Sequence, residues 1–183
     1  MTTNMRLCGT GPFPQIIRAT TSDVPSIQRL HRALCVEERD NGYSANQDVD
    51  GAASPEGTRY VEGRVGGDGL ALVARSNEAV VGYLLAGFRT FQGEKAAGVE
   101  SMFVPMEFRR RGIGSALMSA FLDWFRASDA PLASIAVAPG NVAAATLYRK
   151  AGFADCMLID EGRTLILTIR QSGGEGCEKS SRR

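Results

Sequence analysis

The chain has 183 residues, of which 44% are hydrophobic and 22% are charged, so it can bury one sizeable core like an ordinary soluble domain. Its 21 basic and 20 acidic residues nearly cancel, which argues against recruitment to nucleic acid or to a membrane by overall charge. No apolar run is long enough to span a bilayer or has the form of a secretory signal, and we expect a cytoplasmic protein.

Cysteine and histidine are too sparse for two common kinds of catalytic centre. The four cysteines, at positions 8, 35, 156 and 177, lack metal-ligand spacing, and His31 is the only histidine. We therefore predict no metal site. A Ser-His-Asp or Cys-His centre is excluded unless His31 is its base, and the prediction for His31 is an ordinary helix residue.

The first half of the chain contains turn residues and apolar runs in alternation. Its predicted elements are a strand at 16–20, a helix capped by Ser22-Asp23 with Ile27, Leu30 and Leu34 on one face, and a hairpin of apolar strands at 70–75 and 79–88. Residues 41–69 are rich in Gly, Asp, Asn and Ser around a weak helical segment near 55–64. We expect a mobile loop there, on the substrate side.

The second half continues the alternation of strands and helices. Its predicted elements are a strand at 99–104, a helix at 112–127, a strand at 134–138, a helix that Asn141 caps and Gly152 ends, and a final hairpin of DCMLID and RTLILTIR. The stretch QGEKAAG before the strand at 99–104 is expected to be a polar loop. These elements predict one domain at 16–170, between a flexible extension at 1–15 and a polar, disordered tail at 171–183.

The stretch FRRRGIGSAL, residues 108–117, concentrates positive charge at the start of a predicted helix. The first amides of a helix have no internal partners, and the helix dipole favours an anion there. Gly112 and Gly114 let the backbone approach a bulky diphosphate, and the arginines add charge and planar donors. The pattern predicts a phosphate-binding turn but leaves the ligand open.

Two well-known phosphate motifs do not fit this stretch. A dinucleotide fingerprint needs a third glycine where Leu117 stands, and a Walker A loop needs a Gly-Lys-Ser/Thr step that is missing. A basic surface turn without a ligand is the remaining alternative for the motif taken alone.

Three segments in this order resemble the GNAT superfamily of acetyl-CoA-dependent N-acetyltransferases: VESMFVP, RRRGIGSAL and NVAAATLYRKAGF. Arg109, Gly112 and Gly114 match the family's diphosphate signature, and Asn141, Tyr148 and the Gly152-Phe153 pair match its second motif. The resemblance is close over 98–153 and slightly favours the diamine-acetylating branch. It implies a mixed α/β fold, whose mixed, mostly antiparallel sheet of six to seven strands is flanked by helices. The parallel strands 99–104 and 134–138 are expected to splay apart.

The resemblance also assigns residues to acetyl-CoA. Backbone amides around Met102, Phe103 and Val104 are expected to hold the acetyl carbonyl and the pantetheine arm. The diphosphate is expected on the turn and first helical residues, with Asn141 contacting the cofactor, capping its helix, or both. The expected turn residues are Arg109, Arg110, Arg111, Gly112, Ile113, Gly114 and Ser115.

Acyl transfer to an amine needs a base for the ammonium and an acid for the departing thiolate. The resemblance gives the acid's role to Tyr148, directed at the CoA sulfur, with a core aromatic as the alternative. Strand alternation predicts Glu100 on one face with Met102 and Val104, where a raised pKa would suit a base acting directly or through water. The alternative for Glu100 is a solvated or ion-paired residue.

The acceptor is expected to be a small cationic amine or a peptide amine, bound by acidic residues near the first helices. These residues are Glu37, Glu38, Asp40, Asp48, Asp50 and Glu56, and a solvated acidic face is the alternative. The mechanism implied is direct attack in a ternary complex. A non-catalytic CoA-binding regulatory domain and a different acyl group stay open. A homodimer is expected through the edge of RTLILTIR.

Overall fold

The computed structural model describes residues 13–43, 49–52 and 54–171, which form a seven-stranded sheet with helices on both faces. In chain order the strands are β1 (Gln15–Arg18), β2 (Leu70–Ser76), β3 (Ala79–Phe91), β4 (Glu94–Phe103), β5 (Leu132–Val137), β6 (Ala154–Ile159) and β7 (Thr164–Arg170). The helices are α1 (Val24–Asp40), α2 (Val49–Ala52), α3 (Pro55–Gly66), α4 (Ile113–Arg126) and α5 (Val142–Lys150). Most of the predicted extension and all but one residue of the predicted tail lie outside the described residues.

The strand order is β1-β2-β3-β4-β5-β7-β6, and every neighbouring pair is antiparallel except β4 and β5. The mixed, mostly antiparallel sheet predicted from the sequence is therefore confirmed. Its two faces carry separate apolar clusters because β2 and β3 are buried on both sides. One face packs on α4 through Leu117 and Phe121, and the other packs on α1 and α3 through Ile27 and Val61.

The parallel strands β4 and β5 pair only over their first residues. The register runs from Ala96 opposite Leu132 to Val99 opposite Ile135, and no pair follows. The strands therefore separate where the splay was predicted. A β-bulge lies at this point, because Val99 pairs with Ala86 and Ser101 pairs with Leu85, which leaves Glu100 as the extra residue.

Three predictions about local structure differ from the observed chain. QGEKAAG is not a loop: Gln92 and Gly93, with φ of 50° and 82°, make a tight turn, and β4 begins at Glu94. The region 41–69, expected to be a loop around a weak helical segment near 55–64, contains the three-turn helix α3, whose N-cap Ser54 accepts a hydrogen bond from the Gly57 amide. The strand RTLILTIR is β7, which pairs with β5 on one side and β6 on the other and offers no edge.

Candidate active site

A cavity of about 1050 Å³ opens where β4 and β5 separate, bounded by α1, α4 and α5. Its walls contain twelve of the thirteen residues proposed from the sequence, namely Glu100, Met102, Phe103, Val104, Arg109, Arg110, Gly112, Ile113, Gly114, Ser115, Asn141 and Tyr148. The exception is Arg111, whose guanidinium carbon lies 5.7 Å from the centre of the Phe108 ring. The fold thus gathers two distant sequence motifs around one opening.

The turn before α4 presents a row of backbone amides to this cavity. Arg110 and Gly112 have left-handed φ values of 61° and 80°, a conformation that glycine adopts without strain. Within the described chain, the amides of residues 110–115 donate no backbone hydrogen bond, and the first bond back to the turn comes from the Ala116 amide to the Gly112 carbonyl. Free amides and the helix dipole together make this turn suitable for a diphosphate.

Arg109 is bound to the protein itself on both its side chain and its backbone. Its guanidinium donates to both carboxylate oxygens of Glu37, at 2.7 and 2.6 Å, and to the carbonyl oxygen of Val104 at 2.7 Å. Its backbone amide donates to the Met106 carbonyl oxygen at 3.1 Å. The signature arginine therefore fixes the shape of the turn, and the free donors are those that follow it.

Tyr148 projects from α5 into the cavity wall and is only 7% exposed. Its hydroxyl makes no hydrogen bond within the part of the chain that the structure describes. Burial, with a smaller contribution from the Glu38 carboxylate, raises the pKa of this phenol well above its ordinary value. A neutral phenol is a proton donor throughout the physiological range, as a general acid must be.

Asn141 caps α5, since its side-chain oxygen accepts a hydrogen bond from the Ala144 amide at 3.1 Å. Asn141 also lines the cavity. Its capping role is observed, and a contact with a bound cofactor stays a prediction.

Glu100 occupies a different position from the one predicted by strand alternation. The bulge turns it toward α3, where its Oε2 accepts from Arg64 Nε at 2.6 Å and from the Tyr60 hydroxyl at 3.1 Å. Met102 packs into the cluster on the opposite face of the sheet. The expected shared face is therefore wrong, and the ion-paired alternative describes the carboxylate.

The sequence profile of the Acetyltransferase (GNAT) family matches residues 35–153. The chain belongs to this family. No curated protein sequence matches it. Among solved structures, a ribosomal-protein-alanine N-acetyltransferase from Brucella melitensis is 24% identical, with a TM-score of 0.68 over 86% of this chain and 99% of that one. The putative acetyltransferase yncA from Salmonella typhimurium, solved with its cofactor acetyl-CoA, is 18% identical, with a TM-score of 0.70 over 91% and 99%.

A third solved structure of similar fold contains coenzyme A. The PaiA N-acetyltransferase from Thermoplasma acidophilum, solved in complex with coenzyme A, is 14% identical, with a TM-score of 0.68 over 86% of this chain and 98% of that one. At these identities the similarity establishes the GNAT fold. Among the helices described for this chain, none has both the length and the apolar character needed to cross a membrane.

The acidic residues expected at the acceptor site of this GNAT protein are not gathered into one patch. Only Glu37 and Glu38 line the cavity, and Glu37 is paired with Arg109. Asp40 pairs with Arg39 and Glu56 with Arg59, both on the surface. Asp50 is exposed on α2, and Asp48 lies outside the described residues. Glu38 is thus the second acidic side chain of this set that lines the cleft.

Sequence reasoning missed three polar residues at the α1 side of the cavity: His31 and Ser101, which line it, and the buried Tyr83. His31 lines the cavity, and its Nδ1 lies 2.9 Å from the Tyr83 hydroxyl oxygen. One signal was available, because His31 follows Ile27 by four residues and precedes Glu38 by seven, which places all three on the inward face of α1. Nothing in the sequence pairs Tyr83 or Ser101 with it.

Proposed function

We propose that the protein transfers an acetyl group from acetyl-CoA to a primary amine, by direct attack within a ternary complex. The observation that carries the proposal is the row of free amides at the start of α4, which opens onto the same cavity as the buried Tyr148 hydroxyl. One end of this cavity suits a diphosphate, and the other suits a reacting thioester. A bound acetyl-CoA supplies the activated acetyl group.

The residues fit such a ligand from its diphosphate to its acetyl group. The amides of residues 110–115 and the positive charge of Arg110 suit the diphosphate, and the exposed side chain of Arg111 adds charge beside it. Beyond Val99 the backbone of β4 is released from β5, so donors around Met102, Phe103 and Val104 are available to the pantetheine arm and the acetyl carbonyl. Asn141 stands at the start of α5 along this path.

Tyr148 is the proposed general acid for the departing thiolate. An ordinary thiol has a pKa of roughly 8.5, so a thiolate leaving near neutral pH gains from a nearby neutral phenol. Glu100 is the base that the sequence suggests. Its carboxylate is held by Arg64 and Tyr60, and protonating it would weaken that ion pair, which counts against this role.

The proposed acceptor is a small cationic amine or the amine of a peptide. Glu38, at the α1 side of the cavity, supports a cationic acceptor. The ribosomal-protein-alanine N-acetyltransferase of similar fold supports a peptide amine as one member of the class. The resemblance to the diamine-acetylating branch supports polyamines as further candidate acceptors.

An amine panel tests the proposal. Purified protein is mixed with acetyl-CoA and with polyamines, aminoglycosides or short basic peptides, while thiol release and the acetylated product are followed by absorbance and mass spectrometry. We expect both signals with at least one amine. A non-catalytic CoA-binding domain would bind CoA in calorimetry and release no thiol, and a transferase of another acyl group would work only with succinyl- or longer-chain CoA.

Self-association and location are part of the same proposal. Because β7 is internal, a homodimer joined through a sheet edge would use β6 or β1. Light scattering is expected to return twice the chain mass of 19.6 kDa, and a single mass near 19.6 kDa would reject the dimer. The proposed location is the cytoplasm, as the sequence predicts.

A further inference from the structure

A polar cluster lies at the acceptor end of the cavity, between α1, α3 and the inner strands of the sheet. The His31 ring contacts two tyrosines, with centroid separations of 5.7 Å to Tyr60 and 6.2 Å to Tyr83. His31, Glu100 and Ser101 all line the cavity. None of these residues belongs to the diphosphate turn or to α5, so the cluster is a separate part of the site.

His31 is anchored through one ring nitrogen and open at the other. Nδ1 lies 2.9 Å from the hydroxyl of Tyr83, a residue with no exposed surface. Nε2 has no hydrogen-bond partner among residues 13–43, 49–52 and 54–171. A fixed imidazole with one unpartnered nitrogen in a cavity wall is the arrangement that a proton acceptor requires.

Ser101 is a second buried polar group in this wall of the cavity. The residue is 8% exposed, its Oγ has no hydrogen bond of acceptable geometry in the described chain, and it faces the same cavity. Buried hydroxyls are rarely left without a partner, because desolvation is then uncompensated. Burial raises the pKa of Tyr83 well above its ordinary value, and the nearby Ser101 hydroxyl partly offsets that rise.

We propose that His31 Nε2 is the group that deprotonates the acceptor amine, with Tyr83 as its positioning residue and Ser101 Oγ as a partner for the amine nitrogen. The inference rests on the proposed acetyl transfer and replaces Glu100 as the base. With hydrogen on Nδ1, His31 donates to Tyr83, and the Tyr83 hydroxyl is free to turn toward Ser101. That tautomer leaves a lone pair on Nε2, to which no described residue donates, on a residue that lines the cavity.

The proton balance of the reaction is met by two residues. His31 Nε2 takes one proton from the acceptor ammonium, and the electron pair of that N–H bond stays on nitrogen to attack the acetyl carbonyl carbon. Tyr148 gives its proton to the sulfur as the carbon–sulfur bond breaks, and it regains a proton from the nitrogen that has become an amide. His31 then returns its proton to solvent, so one proton is released for each acetyl group transferred.

The surroundings keep His31 neutral at neutral pH. Burial lowers the pKa of the imidazole below its ordinary value of roughly 6.5. His31 is hydrogen-bonded to Tyr83 on β3. The titratable and polar groups around this pair are Cys35 and Glu38 on α1, Tyr60 on α3, and Glu100 and Ser101 on β4. The Glu100 carboxylate is already paired with Arg64, which limits its attraction for a proton on His31.

The single histidine makes the tautomer directly measurable. In protein prepared without a histidine tag, the imidazole nitrogens of His31 are the only ones in the spectrum, and ¹⁵N chemical shifts identify which nitrogen carries hydrogen. We expect hydrogen on Nδ1 and a bare Nε2 at pH 7.5. Hydrogen on Nε2 would overturn the proposal, whatever the activity of the enzyme.

Kinetics of three variants, His31→Gln, His31→Ala and Glu100→Gln, supply the second test. For His31→Gln we expect kcat to fall about 10²–10⁴-fold at pH 7. The deficit should shrink as the pH approaches the amine's own pKa, roughly 10.4, because the free amine then no longer needs a base. The kcat of the wild-type enzyme should decrease at acid pH, with an apparent pKa below roughly 6.5. This acid limb of the pH–rate profile should be absent in His31→Gln and present in Glu100→Gln. Added imidazole should restore part of the activity of His31→Ala but not of His31→Gln.

The outcomes separate this inference from the proposed function. Wild-type turnover together with an unchanged pH profile in His31→Gln would reject His31 as the base and leave acetyl transfer intact. Loss of the acid limb in Glu100→Gln would assign the base to Glu100 instead. Absence of turnover with every amine would reject the proposed function itself, and the inference with it.

Discussion

Arg109 and Glu37 form an ion pair that joins α1 to the turn before α4, with Nη2 of the arginine 2.7 and 2.6 Å from the two carboxylate oxygens. Both side chains are about one-third exposed, at 35% and 32%. The arginine also holds the Val104 carbonyl oxygen, and its guanidinium carbon lies 5.5 Å from the centre of the Phe103 ring. One side chain thus connects α1, the splayed end of β4 and the turn before α4.

The ion pair predicts an energetic coupling between two elements of the site. Single and double alanine variants of Arg109 and Glu37 should show a coupling of about 0.5–1 kcal/mol in the free energy of unfolding, since a partly exposed pair is screened by water. Urea unfolding of the four proteins measures it. Arg109→Ala should be the less stable single variant, because it also removes the bond to Val104.

CoA affinity tells whether the Arg109 side chain has a second role. If it only shapes the turn, Arg109→Ala and Glu37→Ala should weaken CoA binding to a similar, small extent in calorimetry. A tenfold or greater loss in Arg109→Ala alone, with Glu37→Ala unchanged, would show that the guanidinium reaches the diphosphate directly.

The diphosphate turn predicts a charge effect at Gly112. This residue has φ of 80°, so any side chain strains the backbone by about 1–2 kcal/mol, and Gly112→Ala measures the effect of an uncharged side chain. A Cβ there would also lie 3.3 Å from the Phe13 ring, which is exposed enough to move. Gly112→Asp adds a negative charge beside the free amides and should bind CoA more than tenfold more weakly than Gly112→Ala. Equal CoA affinities of the two folded variants would place the diphosphate elsewhere.

The sequence predicted the parts of the fold that depend on local pattern. Helix α4 and its buried residues follow from apolar spacing, and the phosphate turn follows from glycine and helix-terminus chemistry around Gly112. The bulge at Glu100 was beyond such reasoning, because an extra residue in one strand is defined only by the register of its neighbour. The side chain therefore faces Arg64 and Tyr60 instead of the predicted partners.

The cluster of His31, Tyr83 and Ser101 could not be predicted from the sequence for a related reason. His31, Tyr83 and Ser101 belong to a helix and two strands that are separated by up to 70 residues, and no spacing rule links them. Their proximity comes from the packing of α1 across β3 and β4, which is a tertiary property. The turn at Gln92 and Gly93 was missed for a simpler reason. The polar stretch around it predicted a longer loop, although two residues are enough to connect β3 and β4.

Tyr60 predicts a loss of stability at alkaline pH. Burial, and then the Glu100 carboxylate, raise the pKa of this phenol from 10 to about 12 in the folded protein. Below pH 10 the group is neutral in both states and its contribution is fully present. Between about pH 10 and 12 the unfolded chain loses the proton first, so the free energy of unfolding decreases as pH rises.

Comparison with Tyr60→Phe isolates this group from the other tyrosines. Urea unfolding at several pH values around 10 to 11 should show a shallower decrease for Tyr60→Phe than for wild type, because one ionising group is missing. Identical slopes would mean that Tyr60 titrates normally. The variant should also be somewhat less stable at neutral pH, since Glu100 loses a donor.

Tyr148→Phe is expected to lower kcat about 10²–10⁴-fold while leaving the fold intact. The change removes only the hydroxyl, and that hydroxyl makes no hydrogen bond within the described chain, so the ring keeps its packing and the melting temperature should hold. Because the pKa of the wild-type phenol is raised, kcat should show no loss from Tyr148 ionisation up to about pH 10. Steady-state kinetics and thermal melts on the same preparation measure both effects.

Tyr43→Phe is the matched control, because Tyr43 also lines the cavity but belongs to the segment after α1, beside Gly140, and not to α5. It loses the same hydroxyl away from the expected position of the sulfur and should keep kcat within about threefold of wild type, an energy change of less than 1 kcal/mol. A Tyr148→Phe protein that melts at a lower temperature yet turns over normally would make Tyr148 a structural residue of α5. Equal losses in both variants would indicate a general effect on the cleft, because only an acid at the sulfur distinguishes the two positions.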